Sequence, residues 1–340
     1  MNVRTSLAGS VFAKNLIVWC LKYAFLLAFG AMIVFFSTQS ENFLTDSNLM
    51  NIAKGGVIVL LMALALTLVI SSGGIDLSIG IALDFGAWFA IVAMSQFGVP
   101  WPLALVIALL GGAMVGLLNA FLIVRLGVTP FLATLGTFFI GRSLQQIGTN
   151  GGANVNFRDA PEGFQNITAG NVFGIPNTLL VGLAFFVAYF IFVELSKHGR
   201  RINALGIQDS AAKVSGIPTS GYRALVYVLA GATAAVAGIL LSSGLSIFTP
   251  LAGFSYLLDG IAAVFIGASM HAQNRPNVPG TLIGVLFLAT LGTGLDIIGI
   301  DFNLKAALKG IVLVLAIVLA TVVSNRLPLV QAWFESSRKQ

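Results

Sequence analysis

The sequence predicts an all-α integral membrane protein, and three observations carry this prediction. Hydrophobic residues make up 57% of the 340 residues, and charged residues only 9%, against about 25% in a typical soluble domain. The mean hydropathy is +0.97, which excludes a disordered chain. The apolar residues form long runs, and because backbone polar groups must be satisfied inside lipid, we expect these runs to be helices.

Ten apolar runs come close to the length of roughly 20 residues that a membrane span needs. The first contains Lys22 and is followed by no small-residue cleavage site, so it is interpreted as an uncleaved span. The second and third are one continuous run that Ser71–Gly74 and Asp76 divide. The eighth is short, and is either re-entrant or continues upstream. The ten lie at 16–38, 52–72, 77–97, 101–124, 129–149, 177–196, 222–243, 258–272, 278–300 and 305–324.

The basic residues predict the orientation, because cytoplasmic loops carry an excess of Lys and Arg. With the N-terminus inside, twelve of the 18 basic residues fall in inner segments, while the outer connections hold only Arg158. This bias predicts an even number of spans and cytoplasmic termini. Since the basic residues lie between apolar runs and not on one polar face, a nucleic-acid partner is excluded. The single cysteine, Cys20, excludes an internal disulfide, and two histidines leave little for a metal site.

Two connections are longer than the others. The outer loop 150–176 is rich in Gly and Asn and is either a solvated surface loop or a docking surface. The inner segment 197–221 has helical character, with Gly216 suited to a helix C-terminus and Pro218 blocking continuation. Its Ala211–Ala212 pair favours close packing against a protein partner over lipid.

Charged residues inside spans are candidates for function because they are costly in lipid. Asp84 and Arg142 either pair across helices or each meet water in a cavity. Gly73, Gly74 and Asp76 form a broken helix or tight turn, in which the favoured role of Asp76 is to cap the following helix. Titratable groups are few and scattered, which argues against proton coupling and favours a neutral cargo. The candidate pathway residues are Asp84, Trp88, Asn119, Phe138 and Arg142.

The segment SGGIDLSIG at 72–80 resembles the signature of permease subunits of ribose/galactose-type ABC sugar importers. The segment SAAKVSGI at 210–217 is similar to the family's Glu-Ala-Ala…Gly coupling element, with Ser210 where the family commonly has Glu. Residues 268–275 replace a more glycine-rich family sequence. Further matches occur in the family order: GLLNA at 116–120, VTPF at 128–131, TLGT at 134–137, LDGIAAVFIG at 258–267 and GTLIG at 280–284.

The resemblance implies one permease domain, 1–340, with two distantly related halves, in the bacterial inner membrane. It implies a pathway for a neutral sugar or polyol, a second permease copy or homologue, a periplasmic binding protein outside, and two ATPase subunits inside. These subunits would bind ATP and Mg²⁺, so no cofactor or enzyme activity is expected in this chain, which contains no Gly-Lys pair and hence no phosphate loop. The residues expected to couple to the ATPase are Gly206, Ser210, Ala211, Ala212 and Gly216. An ion-coupled secondary transporter and a membrane scaffold or receptor are the alternatives.

Overall fold

The computed structural model describes residues 24–271, 273–301, 304–311, 314–315 and 318. The helices are α1 (Ala24–Gln39), α2 (Asp46–Ser71), α3 (Ile79–Ser95), α4 (Trp101–Ala120), α5 (Pro130–Gly148), α6 (Glu162–Ala169), α7 (Asn177–Tyr189), α8 (Lys197–Ile207), α9 (Asp209–Val214), α10 (Thr219–Leu245), α11 (Gly253–Ser269) and α12 (Val278–Ile297). Two π-helical stretches, Phe121–Arg125 and Phe190–Leu195, continue α4 and α7. Residues 304–311 are also helical.

Five helices in the described part are long and apolar enough to cross a membrane, which confirms the all-α membrane class. They are Asp46–Ser71, Trp101–Arg125, Asn177–Leu195, Thr219–Leu245 and Val278–Ile297. Helices α1, α3 and α11 are apolar but shorter, and α5 is more polar than the preceding helix α4. Residues 16–23 of the first expected span and residues 312–313, 316–317 and 319–324 of the tenth lie outside the described residues, as do both termini, so the count of ten stays a prediction.

Helix α2 lies at the centre of the core. From Leu60 to Val69 every residue is buried, as expected of a helix that is hydrophobic on all sides. It contacts α7, α10, α11 and α12, while α10 also packs along α3 and α4. One buried polar contact, 2.7 Å between the hydroxyls of Thr67 and Thr281, joins α2 to α12.

Glycines let the helix backbones come close together. A Cβ atom on Gly112 of α4 would lie 2.6 Å from the carbonyl oxygen of Gly231 of α10, so a larger residue would separate the two helices. Such small-residue contacts are common between membrane helices. A second close contact between α4 and α10 lies at Gly116, which packs against the backbone of Tyr227.

The observed ends of the elements refine the sequence-based boundaries. The expected division of 52–97 is confirmed, because α2 ends at Ser71 and α3 begins at Ile79. The eighth run does continue upstream, since α11 begins at Gly253. Its 17 residues extend about 25 Å at 1.5 Å per residue. The 197–221 segment holds two helices, α8 and α9.

The 150–176 loop is folded against the rest of the chain. Strand β1 (Val155–Asn156) pairs antiparallel with β4 (Ile247–Phe248), and β2 (Asn171–Val172) pairs with β3 (Ile175–Pro176) in a hairpin. Phe164 of α6 is fully buried. Phe173, at the hairpin tip, is 100% exposed, so the loop presents one large aromatic side chain on a fixed scaffold.

Candidate functional site

The turn between α2 and α3, residues 72–78, is called here the helix break. Gly73 has a φ of +82°, in the left-handed region that favours glycine. The Asp76 carboxylate oxygen Oδ1 accepts hydrogen bonds from the backbone N–H of Ser78 at 2.8 Å and from its hydroxyl at 2.7 Å. Asp76 therefore closes the turn directly before α3 through its own side chain. The N-cap position of α3 is Ser78 and has no side-chain cap hydrogen bond, so Asp76 stabilises the turn and does not occupy the predicted capping position.

A chain of buried hydrogen bonds leads from the helix break into α4 and α5. Asn119 Nδ2 donates to the hydroxyl of Ser78 at 2.6 Å, and the hydroxyl of Thr137 donates to Asn119 Oδ1 at 2.7 Å. A second hydrogen bond joins α5 to the helix break, in which the hydroxyl of Thr134 donates to the carbonyl of Ile75 at 3.2 Å. Because these groups are satisfied away from water, the break and the two helices are held as one unit.

Residues 197–216, called here the α8–α9 segment, lie directly on the helix break. A Cβ atom on Gly206 would lie 2.9 Å from the carbonyl carbon of Ser71 and 3.0 Å from the amide nitrogen of Gly73. In the reverse direction, a Cβ on Gly73 would lie 3.2 Å from Cα of Gly206. The contact is thus backbone against backbone, and it exists because both residues are glycines.

Polar contacts fix the α8–α9 segment to the start of α10. Arg201 Nη1 donates to the hydroxyl of Tyr222 at 3.0 Å, and His198 Nδ1 lies 3.0 Å from the same hydroxyl. Asp209 forms ion pairs with Arg223 at 3.3 Å and with Lys213 at 2.9 Å. The segment is therefore held at both helices and not only at the glycine contact.

The predicted coupling residues do not share one face. Ser210, Ala211 and Gly216 are exposed, whereas Ala212 is only 4% exposed and packs inward. Gly216 has a φ of +76° directly after α9, as its position at a helix C-terminus predicts. Ala212 thus supports the segment from inside and offers no side chain to a partner.

Sequence reasoning missed two residues on the outer face of this segment. Val214 is 91% exposed and Ile207 is 79% exposed. Their neighbours Gln208, Ser210 and Lys213 are polar, so the two apolar side chains are candidates for contact with a partner protein. In the sequence, this pair could have been recognised as two large apolar residues, seven positions apart, in a mainly polar stretch.

The structure does not bring Asp84 and Arg142 together. Asp84 is 1% exposed, and its Oδ1 accepts the backbone N–H of Gly253 at 2.8 Å, at the N-terminus of α11. A carboxylate there satisfies a free N–H and complements the helix dipole. Arg142 is exposed on α5 and forms no ion pair within the described residues.

A second acidic side chain, half-buried and not indicated by the sequence, makes the same kind of contact at another helix start. Glu194 Oε1 accepts the backbone N–H of Val278 at 2.8 Å, at the first residue of α12.

The remaining pathway candidates make aromatic contacts. Trp88 stacks on Phe248 with 5.9 Å between ring centroids, and Phe138 contacts Phe254 at 5.8 Å.

An open cavity of about 330 Å³ lies between α11, α12 and the helical residues 304–311. Its charged lining includes Asp259 and Lys309, which form an ion pair at 2.8 Å, and Lys305, which pairs with Asp296 at 2.6 Å. Each side chain of the first pair is 25% exposed. These are accessible charged groups beside an apolar helix.

Comparison with known proteins relates the chain to membrane permeases. Residues 48–319 match the family model described as "branched-chain amino acid transport system / permease component". The ribose import permease protein RbsC of Bacillus subtilis is 36% identical over 293 residues, 85% of this chain and 89% of that protein. RbsC of Escherichia coli K12 is 34% identical, with 88% and 93% covered. The autoinducer 2 import system permease protein LsrD of Yersinia enterocolitica is 30% identical, with 93% and 97% covered.

Proposed function

The chain belongs to the family of branched-chain amino acid transport system permease components, and from this premise we propose that it forms the transmembrane pathway of an ATP-driven importer in the bacterial inner membrane. The permease names of its relatives and its apolar helices support this proposal. They favour it over an ion-coupled secondary transporter, which the sequence by itself left open.

The proposed cargo is a neutral sugar or polyol. The family description names branched-chain amino acids, but relatives that cover at least 84% of this chain are named for import of ribose and autoinducer 2. The composition agrees with an uncharged cargo, because the chain holds only 12 Asp and Glu and two His. A neutral solute needs no fixed net charge along its path.

The proposed assembly contains two copies of the permease, or this chain and a homologue, with ten spans per chain and both termini in the cytoplasm. Two ATPase subunits bind ATP and Mg²⁺, and this chain has no ATPase site of its own. A periplasmic binding protein delivers the cargo at the side of the 150–176 loop. The α8–α9 segment faces the ATPase, and its exposed residues Ile207, Ser210, Ala211, Val214 and Gly216 form the docking face.

The exposure of Val214 and Ile207 carries the docking proposal, and an aspartate at either position tests it. An exposed apolar residue that docks in a partner's groove loses that contact when it becomes charged, while the fold of the free chain is unaffected. We therefore expect Val214→Asp and Ile207→Asp each to lower the amount of ATPase that co-purifies with the tagged permease, and ATP-dependent uptake with it.

Phe173→Asp is the matched control, because it also replaces a fully exposed apolar residue, at the hairpin of the other long loop. It should leave ATPase co-purification unchanged. Full retention of the ATPase in both segment variants contradicts the docking face. Ala212→Asp does not test docking, since a charge at that buried position disturbs the segment itself.

A further inference from the structure

The cargo needs polar groups that it can reach, and two of the predicted pathway residues do not offer them in this conformation. Asp84 and Asn119 are buried, at 1% and 0% exposed, so a solute cannot reach them. Asp84 Oδ1 accepts the backbone N–H of Gly253, and Asn119 Oδ1 accepts the hydroxyl of Thr137. By contrast, Asp259 and Lys309 line the open cavity of about 330 Å³. This volume lies at the lower end of the range of about 300–1,000 Å³ found for small-molecule sites.

The cavity lining is mostly apolar but also holds the charged groups of Asp259, Lys305 and Lys309. A charged group at mid-bilayer costs roughly 2.5–3.5 kcal/mol on insertion scales, so such groups face protein or water-filled cavities. Asp259 lies within the apolar helix α11, and its partner Lys309 approaches from the following helical stretch. The Phe138–Phe254 contact places α5, which carries the exposed Arg142, beside the start of α11.

The lining groups match the chemistry of an uncharged polyol. The Asp259 carboxylate accepts hydrogen bonds, the Lys309 ammonium donates them, and the Ser255 hydroxyl does both. Asp259 and Lys309 pair within the lining, and Lys305 of the lining pairs with Asp296, which lies outside it, so the charges cancel. Leu258, Ile261 and Leu288 supply an apolar floor. A neutral solute with adjacent hydroxyls fits this set, whereas an anion or cation gains no net attraction.

We propose that Asp259, Lys309 and Ser255 form a contact site for a neutral, polyhydroxylated solute along the translocation pathway. The site rests on the proposed function, since it supposes that the chain conducts such a solute. It adds the residues that the solute touches, in a place separate from the buried helix break.

The first test asks whether the cavity holds water. In the assembled transporter with Cys20→Ser, the variant Ser255→Cys is exposed to a charged, membrane-impermeant thiosulfonate reagent. Leu183→Cys, on α7, is the control, since Leu183 is 59% exposed on an apolar helix. We expect Ser255→Cys to be modified and Leu183→Cys to remain unmodified. Absence of modification at Ser255→Cys overturns the site.

The second test separates a solute contact from a purely structural ion pair. Uptake of D-ribose and other uncharged pentoses and hexoses is measured for Asp259→Asn and for the charge exchange Asp259→Lys/Lys309→Asp. The exchange restores an ion pair but moves the acceptor and donor. We expect both variants to assemble with the ATPase and to show KM values at least about tenfold above the parent protein, which corresponds to about 1.4 kcal/mol.

Recovery of parental uptake in the charge exchange shows a structural pair and overturns the proposal. If the parent transports none of the uncharged sugars but does transport a charged solute, the proposed function fails instead. The thiol modification of Ser255→Cys then still reports on the cavity, so the two failures are distinguishable.

Discussion

The glycine contact between the α8–α9 segment and the helix break makes Gly206→Ala an informative substitution. The new methyl group meets backbone atoms: the carbonyl carbon of Ser71 at 2.9 Å and the amide nitrogen of Gly73 at 3.0 Å. Neither atom belongs to a flexible side chain that can rotate away. The end of α8 must therefore move away from the break, or the break must change its backbone conformation.

The size of the effect follows from the cost of inserting a methyl group into a packed contact, about 1–3 kcal/mol. Alanine also gains up to about 1 kcal/mol over glycine in a helix interior, which opposes this cost. Gly221→Ala corrects for that gain, because Gly221 lies in the first turn of α10 with nothing within 4 Å of its built Cβ. The difference between the two variants measures the contact, and we expect about 1–3 kcal/mol, or about 5- to 150-fold in a coupling equilibrium.

The assay compares ATP hydrolysis with solute uptake in reconstituted vesicles. Because the proposed docking residues Ile207 and Val214 are unchanged, Gly206→Ala should keep its ATPase and still hydrolyse ATP. Uptake per ATP should fall at least fivefold, whereas Gly221→Ala should match the parent. Equal uptake per ATP in the two variants would refute the reasoning, because the methyl group would then have been accommodated without moving the segment.

Two further predictions concern the helix break and the turn before α12. Asp76→Asn keeps the Oδ1 acceptor for both Ser78 hydrogen bonds and should preserve uptake. Asp76→Ala removes this acceptor and should cost about 1–3 kcal/mol, measured as a lower unfolding midpoint in detergent. Loss of uptake in a normally inserted Asp76→Asn contradicts a purely turn-closing role for Asp76. Burial, with a smaller effect of Arg275, lowers the pKa of the His271 imidazole below its ordinary 6.5, while Glu194 acts in the opposite direction. The folded state is therefore more stable above about pH 6.5, and this stabilisation is lost as the pH falls through the lowered pKa. Unfolding midpoints measured across about pH 5–8 should show this loss for the parent protein. The variant His271→Gln should not show it.

Features that depend on local composition were predictable from the sequence. The Ser71–Gly74 cluster divides an apolar run that is too long for one span, and the observed break falls there because glycine accepts the positive φ of the turn. Gly216 likewise ends α9 in the left-handed conformation. In both cases a few neighbouring residues determine the backbone conformation.

Contacts between distant residues were not predictable, because they depend on how the helices are rotated and placed. Asp84 caps a helix that begins 169 residues later, and no local pattern distinguishes this from a pathway charge. The side of α9 that faces inward is determined by its packing on α8 and α10. The composition of the segment therefore could not predict that Ala212 is buried and Val214 exposed. The same holds for strand β1, whose partner β4 lies after α10.

The helix break connects the proposed ATPase side to the helices beside the cavity. Gly206 contacts it through backbone atoms, without a long side chain whose rotation would absorb a displacement. The break is in turn bound to α4 and α5 through Asn119 and Thr137, and α5 touches the start of α11 through Phe138 and Phe254, next to Ser255. Packed cores shift between discrete arrangements and deform little. We therefore expect a displacement of α8 to require a rearrangement of the break, of α4 and α5, and of the start of α11. The buried polar residues of the break join it to α4 and α5 through hydrogen bonds, and on the proposed function their part is to keep these three elements together and not to touch the cargo.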